Sequence, residues 1–242
     1  MLKQKIASLI LASGKETEIV EQPSNYPPEG LNPIQVGCII NGKVDERDII
    51  SGFYYLAQKG YMIIREYELQ RFEFEPVTPP VKESKDIKLL YEAIFNGSDK
   101  TVTLVDAKDR LVKAFPKVEA LTLKSINKMK NLELASYTAQ VRNFRQLLLQ
   151  TKGKTAKNLL AEDENYIYTV LPYAYEMAVT AKLASNFNIV DMLPPKWYHP
   201  YGVDDEYEFN VVVYNSMLRN LPEELKNTVF DEIYIRARMG LL

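Results

Sequence analysis

This sequence is short of the residues on which most metal and redox chemistry depends. It holds one cysteine, Cys38, and one histidine, His199, in 242 residues. A lone cysteine cannot close an internal disulfide, which fits a reducing compartment, and it excludes zinc and iron–sulfur centres built on thiolates. A lone histidine excludes any site that needs two imidazoles. Excess charge is lacking too: 30 basic and 32 acidic residues leave a net of −2, so the molecule as a whole has no strong pull toward nucleic acid or anionic lipid. No apolar run reaches the roughly 18 residues that cross a bilayer. The sequence has no glycine-rich phosphate loop, dinucleotide fingerprint or nucleophile elbow, and no repeat of solenoid period. Cysteine–histidine catalysis would require Cys38 to meet His199 across the fold, and nothing local supports that. Cys38 sits in Val36-Gly37-Cys38-Ile39-Ile40, where a buried, inert thiol is the default. No enzymatic activity, cofactor or metal is expected.

What is present is ordinary globular material, 46% apolar and 26% charged, enough for one large domain or two to three small ones. Residues 1–25 read as an amphipathic helix, with Leu2, Ile6, Leu9 and Ile10 on one stripe, followed by a polar linker. A signal peptide is the lesser reading, because the apolar stretch from Ile6 to Ala12 is short and contains Ser8. Over 26–80, Asn32 is placed to cap a helix entered by Pro33 and closed by Asn41-Gly42. Asp45 caps a second helix carrying Ile49, Ile50, Phe53, Leu56 and Ala57 on one face, and Gly60 ends it. Tyr61 to Glu66 and Phe72 to Glu75 then read as a hairpin. Helix, turn, helix, hairpin is the outline of a winged helix.

Residues 81–135 repeat the front half of that logic. Ser84 is placed to cap a helix bearing Ile87, Leu90, Tyr91, Ile94 and Phe95, and Thr101 to Val105 reads as a strand. Asp106 opens a further helix, Pro116 is expected to break it, and another helix follows near Val118. Residues 136–242 read as a helical domain: Gln140 to Thr151, a helix opened or kinked at Leu171-Pro172, and helices near Glu206–Leu221 and Glu223–Met239 separated by Pro222. Ala174, Ala178, Ala181 and Ser185 recur at helical spacing as a small-residue face. The expected fold class is mainly α (α+β): a winged-helix-like part, a second winged-helix-like unit and a C-terminal helical bundle.

A DNA-reading winged helix needs a basic outward face, because phosphate contacts dominate affinity. Projected at 100° per residue, the helix from Glu46 to Lys59 turns Arg47, Asp48, Ser51, Tyr54, Tyr55, Gln58 and Lys59 outward, and its entry is Asp45-Glu46-Arg47-Asp48. Leu31 to Val77 holds five basic and seven acidic residues, which argues against DNA. Val81 to Lys130 holds eleven basic and seven acidic residues, with Lys117, Lys124, Lys128 and Lys130 around its last helix. Nucleic-acid binding is an alternative there, although a solvated lysine face is the commoner cause. Arg47, Ser51, Tyr54, Tyr55 and Gln58 form the candidate interaction surface for a protein partner, tyrosine being enriched in interface cores. The competing reading packs the two tyrosines against C-terminal helices of the same chain. Trp197, Tyr198, His199 and Tyr201 form a candidate aromatic pocket, or else the seal at the end of a helical bundle. Asp204-Asp205-Glu206 reads as a helix start before a cation site.

Taken together, Tyr26-Pro27-Pro28-Glu29-Gly30-Leu31-Asn32-Pro33, Val36-Gly37, Gly42-Lys43-Val44-Asp45, Arg47-Asp48, Leu56-Ala57, Lys59-Gly60-Tyr61, Leu171-Pro172-Tyr173-Ala174, Phe187 and Pro195-Lys196-Trp197-Tyr198 resemble the YciQ-like predicted membrane proteins of unknown function. Gly14-Lys15-Glu16 is similar to the step after a membrane span there. The resemblance runs from about Gly14 to Tyr201 and implies the cytoplasmic part of such a protein. The preceding span and an apolar hairpin expected near Lys130 to Val141 are lacking, so membrane attachment would come only through segments absent from this chain. The expected function is that of a non-enzymatic cytoplasmic interaction or regulatory module with a protein partner. The alternative is a DNA-binding transcriptional regulator using the lysine-rich unit.

Overall fold

In the computed structural model, which describes residues 24–187, 192–203 and 209–241, helix α1 (Pro33–Asn41) begins for a local reason. The Asn32 side chain accepts from the Gln35 amide while the Gln35 side chain accepts from the Asn32 amide, so two otherwise unpaired donors are satisfied reciprocally. Gly42, at φ 75°, closes the helix in the left-handed region that side chains disfavour. Helix α2 (Glu46–Gln58) follows, then strands β1 (Met62–Glu68) and β2 (Arg71–Pro76). Helix α3 (Lys85–Phe95) precedes a two-residue strand, β3 (Val102–Thr103). Ser84 stands at its N-cap position without making the expected cap bond.

Helix α4 (Leu104–Lys128) runs unbroken through Pro116, contrary to the expected stop. A proline inside a helix removes one hydrogen bond and costs about 3 kcal/mol. Pro116 is exposed, while Leu111, Val112, Ala114 and Val118 on either side of it are buried, and that packing outweighs the local penalty. Helices α5 (Asn131–Gln150), α6 (Lys154–Glu162), α7 (Tyr166–Glu176) and α8 (Thr180–Phe187) come next. The small-residue face does not form. The chain turns at Ala178, φ 55°, leaving Ala174 buried on α7 and Ala181 and Ser185 exposed on α8.

Strand β4 (Tyr198–His199) leads toward helix α9 (Val211–Leu225), capped by the Asn210 side chain accepting from the Val212 and Val213 amides. Pro222 lies inside α9 instead of ending it, and a wider π-type turn (Lys226–Phe230) continues into helix α10 (Asp231–Arg238). The strands form one mixed sheet in the order β3-β2-β1-β4, antiparallel except for β1 with β4. The fold is mainly helical with this small sheet. Among the described residues no helix is long and apolar enough to cross a membrane.

Packing divides the chain into two units, each built from two stretches: Met1–Ser51 with Glu119–Phe187, and Gly52–Val118 with Asn188–Leu242. The divisions fall within α2 and α4, not at the 80/81 and 135/136 boundaries read from the sequence. In the first unit α1 packs on α7 and α5, burying Ile34, Val36, Cys38, Ile39, Phe144, Ile167 and Leu171. In the second, Phe53 meets Phe74 at 5.3 Å between ring centroids, and Met62, Ile64, Phe72, Met217 and Leu221 complete the sheet's core. The N-terminal amphipathic stripe, Gly14-Lys15-Glu16 and Asp204-Asp205-Glu206 lie outside the described residues.

Candidate functional site

The first unit has a notch at Gly37, midway along the largely apolar helix α1. A methyl group there would overlap Asp48 Oδ1 and lie 2.5 Å from Glu176 Oε1, so only glycine admits the two carboxyls. Asp48 comes from the first turn of α2 and Glu176 from the last residue of α7. Asp48 is fully buried and Glu176 is 5% exposed. The Asp45 amide donates to Asp48 Oδ2 at 2.5 Å, and the Ser51 hydroxyl donates to the Asp48 carbonyl oxygen at 2.7 Å. Asp48 Oδ1 and Glu176 Oε2 have no hydrogen-bond partner, a rare state for buried oxygens.

The electrostatics follow from that geometry. Burial, and then the Glu176 charge, push the Asp48 carboxyl up to about 9, against the pull of the Asp45 amide. Burial, and then the Asp45 charge, push Glu176 up to about 8, while Arg47 and Ser51 favour its ionised form. Burial also lifts the neighbouring Tyr175 phenol to about 12, with Arg47 opposing. Asp48 and Glu176 are therefore carboxylic acids at neutral pH, and the chemistry open to them is to take up and release protons. Among the described residues no group of three or more His, Cys, Asp or Glu is placed to hold a metal ion.

The second unit buries carboxyls differently. Glu66 Oε1 accepts from the Gln70 amide and the Asn220 side-chain amide, both at 2.8 Å, and Oε2 accepts from the Tyr198 hydroxyl at 3.3 Å. Glu224 Oε2 accepts from the Phe72 amide at 2.9 Å, and burial raises its carboxyl to about 7. These bonds fasten the β1–β2 hairpin to α9.

The candidate interaction surface on α2 is corrected. Ser51 and Tyr54 are fully buried and Tyr55 is 6% exposed, which leaves Arg47 exposed and Gln58 half-buried. Asp48, also expected outward, is buried as above. Tyr54 is enclosed because its hydroxyl donates to the Met217 carbonyl oxygen of α9 at 3.0 Å, the same-chain packing that was the competing reading. Tyr55 and Tyr61 both donate to Glu83, at 3.0 and 2.8 Å. In the aromatic cluster Trp197 and Tyr198 are buried, and the Trp197 carbonyl oxygen accepts from the Ile64 amide at 2.8 Å as β4 joins the sheet. His199 pairs opposite Arg65 in the register, and Tyr201 is 52% exposed. Asn143, Gln146, Leu147, Gln150, Thr151 and Thr155 line an open groove of about 330 Å³ with no titratable group among them.

The carboxyl pair went unread in the sequence. Asp48 has the spacing of an ordinary helix-entry acid, and nothing near Glu176 marks it. The available signal was Gly37, since glycine within a helix is about 1 kcal/mol worse than alanine and so points to a close approach. No family model, curated protein or solved structure matched the chain.

Proposed function

We propose that this chain is a non-enzymatic interaction and regulatory module, the cytoplasmic part of a YciQ-like membrane protein, with a winged-helix-like arrangement of α1, α2, β1 and β2. The resemblance is supported by the way some of its scattered motifs become neighbours within the first unit. The Tyr173 hydroxyl of Leu171-Pro172-Tyr173-Ala174 donates to the Leu31 carbonyl oxygen at 2.8 Å, 142 residues away in sequence, and Gly37 faces Asp48. The functional reading is carried by one observation in the second unit. Helix α10 buries Val229, Phe230 and Ile233 on and before its inner side, yet leaves Tyr234 and Ile235 each 54% exposed, with Met239 66% and Leu241 64% exposed just beyond. Large apolar side chains concentrated this way mark protein contact.

A photoreactive residue at Ile235 should crosslink to protein in cells, with a photoreactive residue at exposed Val81 as control. Labelling at 235 no stronger than at 81 would remove this reading. A second reading, nucleic-acid binding, is favoured by the exposure of Lys117, Lys124, Lys128 and Lys130. It requires duplex affinity that drops steeply with salt; absence of binding at low salt would discard it.

A further inference from the structure

The outward face of α10 has a symmetry that identifies a partner. Asp231, Tyr234, Ile235 and Arg238 fall within roughly 100° of the helix circumference at 100° per residue. All four are exposed, and Asp231 and Arg238 meet no opposite charge among the described residues. Arg236, by contrast, turns aside to Glu232 at 2.7 Å and Asp109 at 2.6 Å, and Lys108 reaches Glu232 at 3.3 Å, so these charges are already committed. Along the remaining stripe the sequence is complementary to its own reverse. About the midpoint between Tyr234 and Ile235, the acid at 231 mirrors the base at 238, and the tyrosine mirrors the isoleucine.

We propose that this face docks a second copy of the chain, α10 against α10, antiparallel about a two-fold axis passing between Tyr234 and Ile235. The proposal rests on the reading of α10 as an interaction face and names its partner. In this arrangement Tyr234 of each protomer lies on Ile235 of the other, Met239 extends the apolar strip at both ends, and Asp231 of each faces Arg238 of its partner. Two equivalent ion pairs fix the antiparallel direction, because a parallel alignment would set like charges together. A contact of so few side chains falls below the roughly 800 Å² per partner of a standard interface, so the dimer is weak. Dissociation at about 100 µM is expected.

The test is sedimentation of the full chain from about 1 µM to 500 µM, with circular dichroism as a check on folding. Weight-average mass should rise with concentration. Asp231→Arg and Arg238→Asp should each weaken association about tenfold or more, and the double exchange D231R/R238D should restore it to within about threefold of the native chain. Mass independent of concentration overturns the proposal, as does a double variant no better than the singles. If Ile235 crosslinks to another protein while the chain stays monomeric, self-pairing fails and the interaction reading stands. If crosslinking at 235 also fails, both fall.

Discussion

Glu66 in the second unit and Asp48 in the first are both buried acidic side chains, and their surroundings differ. Glu66 receives three donors, from Gln70, Asn220 and Tyr198. Asp48 receives the Asp45 amide on one oxygen, leaves the other unpaired, and shares its burial with a second acid. A buried charge is tolerated when donors replace the water it lost; without them the group keeps its proton. Glu66 therefore serves to fasten the β1–β2 hairpin to α9, and Asp48 with Glu176 is held as a pair of acids.

The severest way to break this contrast is Gly37→Ala. The added methyl must displace Asp48 or Glu176, and a loss of about 3 kcal/mol or more is expected in urea unfolding. A midpoint unchanged from native would show that the notch opens freely. Next comes pH. Asp48 and Glu176 bind protons more tightly folded than unfolded, so their contribution is full below about pH 4, falls as pH rises, and is lost once pH passes about 8 and 9. From pH 6 to pH 8 the native chain should lose several kcal/mol, since each carboxyl held protonated contributes about 1.4 kcal/mol per pH unit, and Asp48→Asn should lose about half as much. Equal slopes in the two proteins would show that Asp48 is not a proton holder.

Asn220→Ala probes the fastener. It removes one donor to Glu66 and should destabilise by about 1–2 kcal/mol in urea unfolding. Smallest is Glu224→Gln, which keeps an acceptor for the Phe72 amide. Glu224 is raised to about 7, so its contribution falls between the ordinary carboxyl range and pH 7. The glutamine variant should match the native chain near pH 5 and exceed it by under about 1 kcal/mol at pH 8. A glutamine variant weaker than native at pH 8 would mean that the ionised carboxylate is preferred there.

The parts of the fold legible in the sequence are those decided within a few residues. Asn32 with Gln35, Gly42, Gly60 and the alternation around Phe72 and Phe74 set α1, α2 and the hairpin by local chemistry. Pro116 and Pro222 misled because their local penalty is overruled by burial contributed from distant segments. Strand β4 is two residues long and is a strand only because Ile64 and Arg65 pair with it, which no local pattern around Trp197 records. The outward assignment of Tyr54 and Tyr55 failed for a similar reason: a helix packed on more than one side has no polar face to project. The carboxyl pair joins residues 128 positions apart through a glycine whose own signal was visible.

The order β3-β2-β1-β4 has a consequence for aggregation. Both outer strands are two residues long, and the Phe72 amide is already taken by Glu224. Among the described residues an incoming chain finds only short outer strands on which to extend the sheet, an arrangement that discourages fibril-like growth. The proposed pairing of α10 with α10 differs in kind, because a two-fold contact closes on itself and stops.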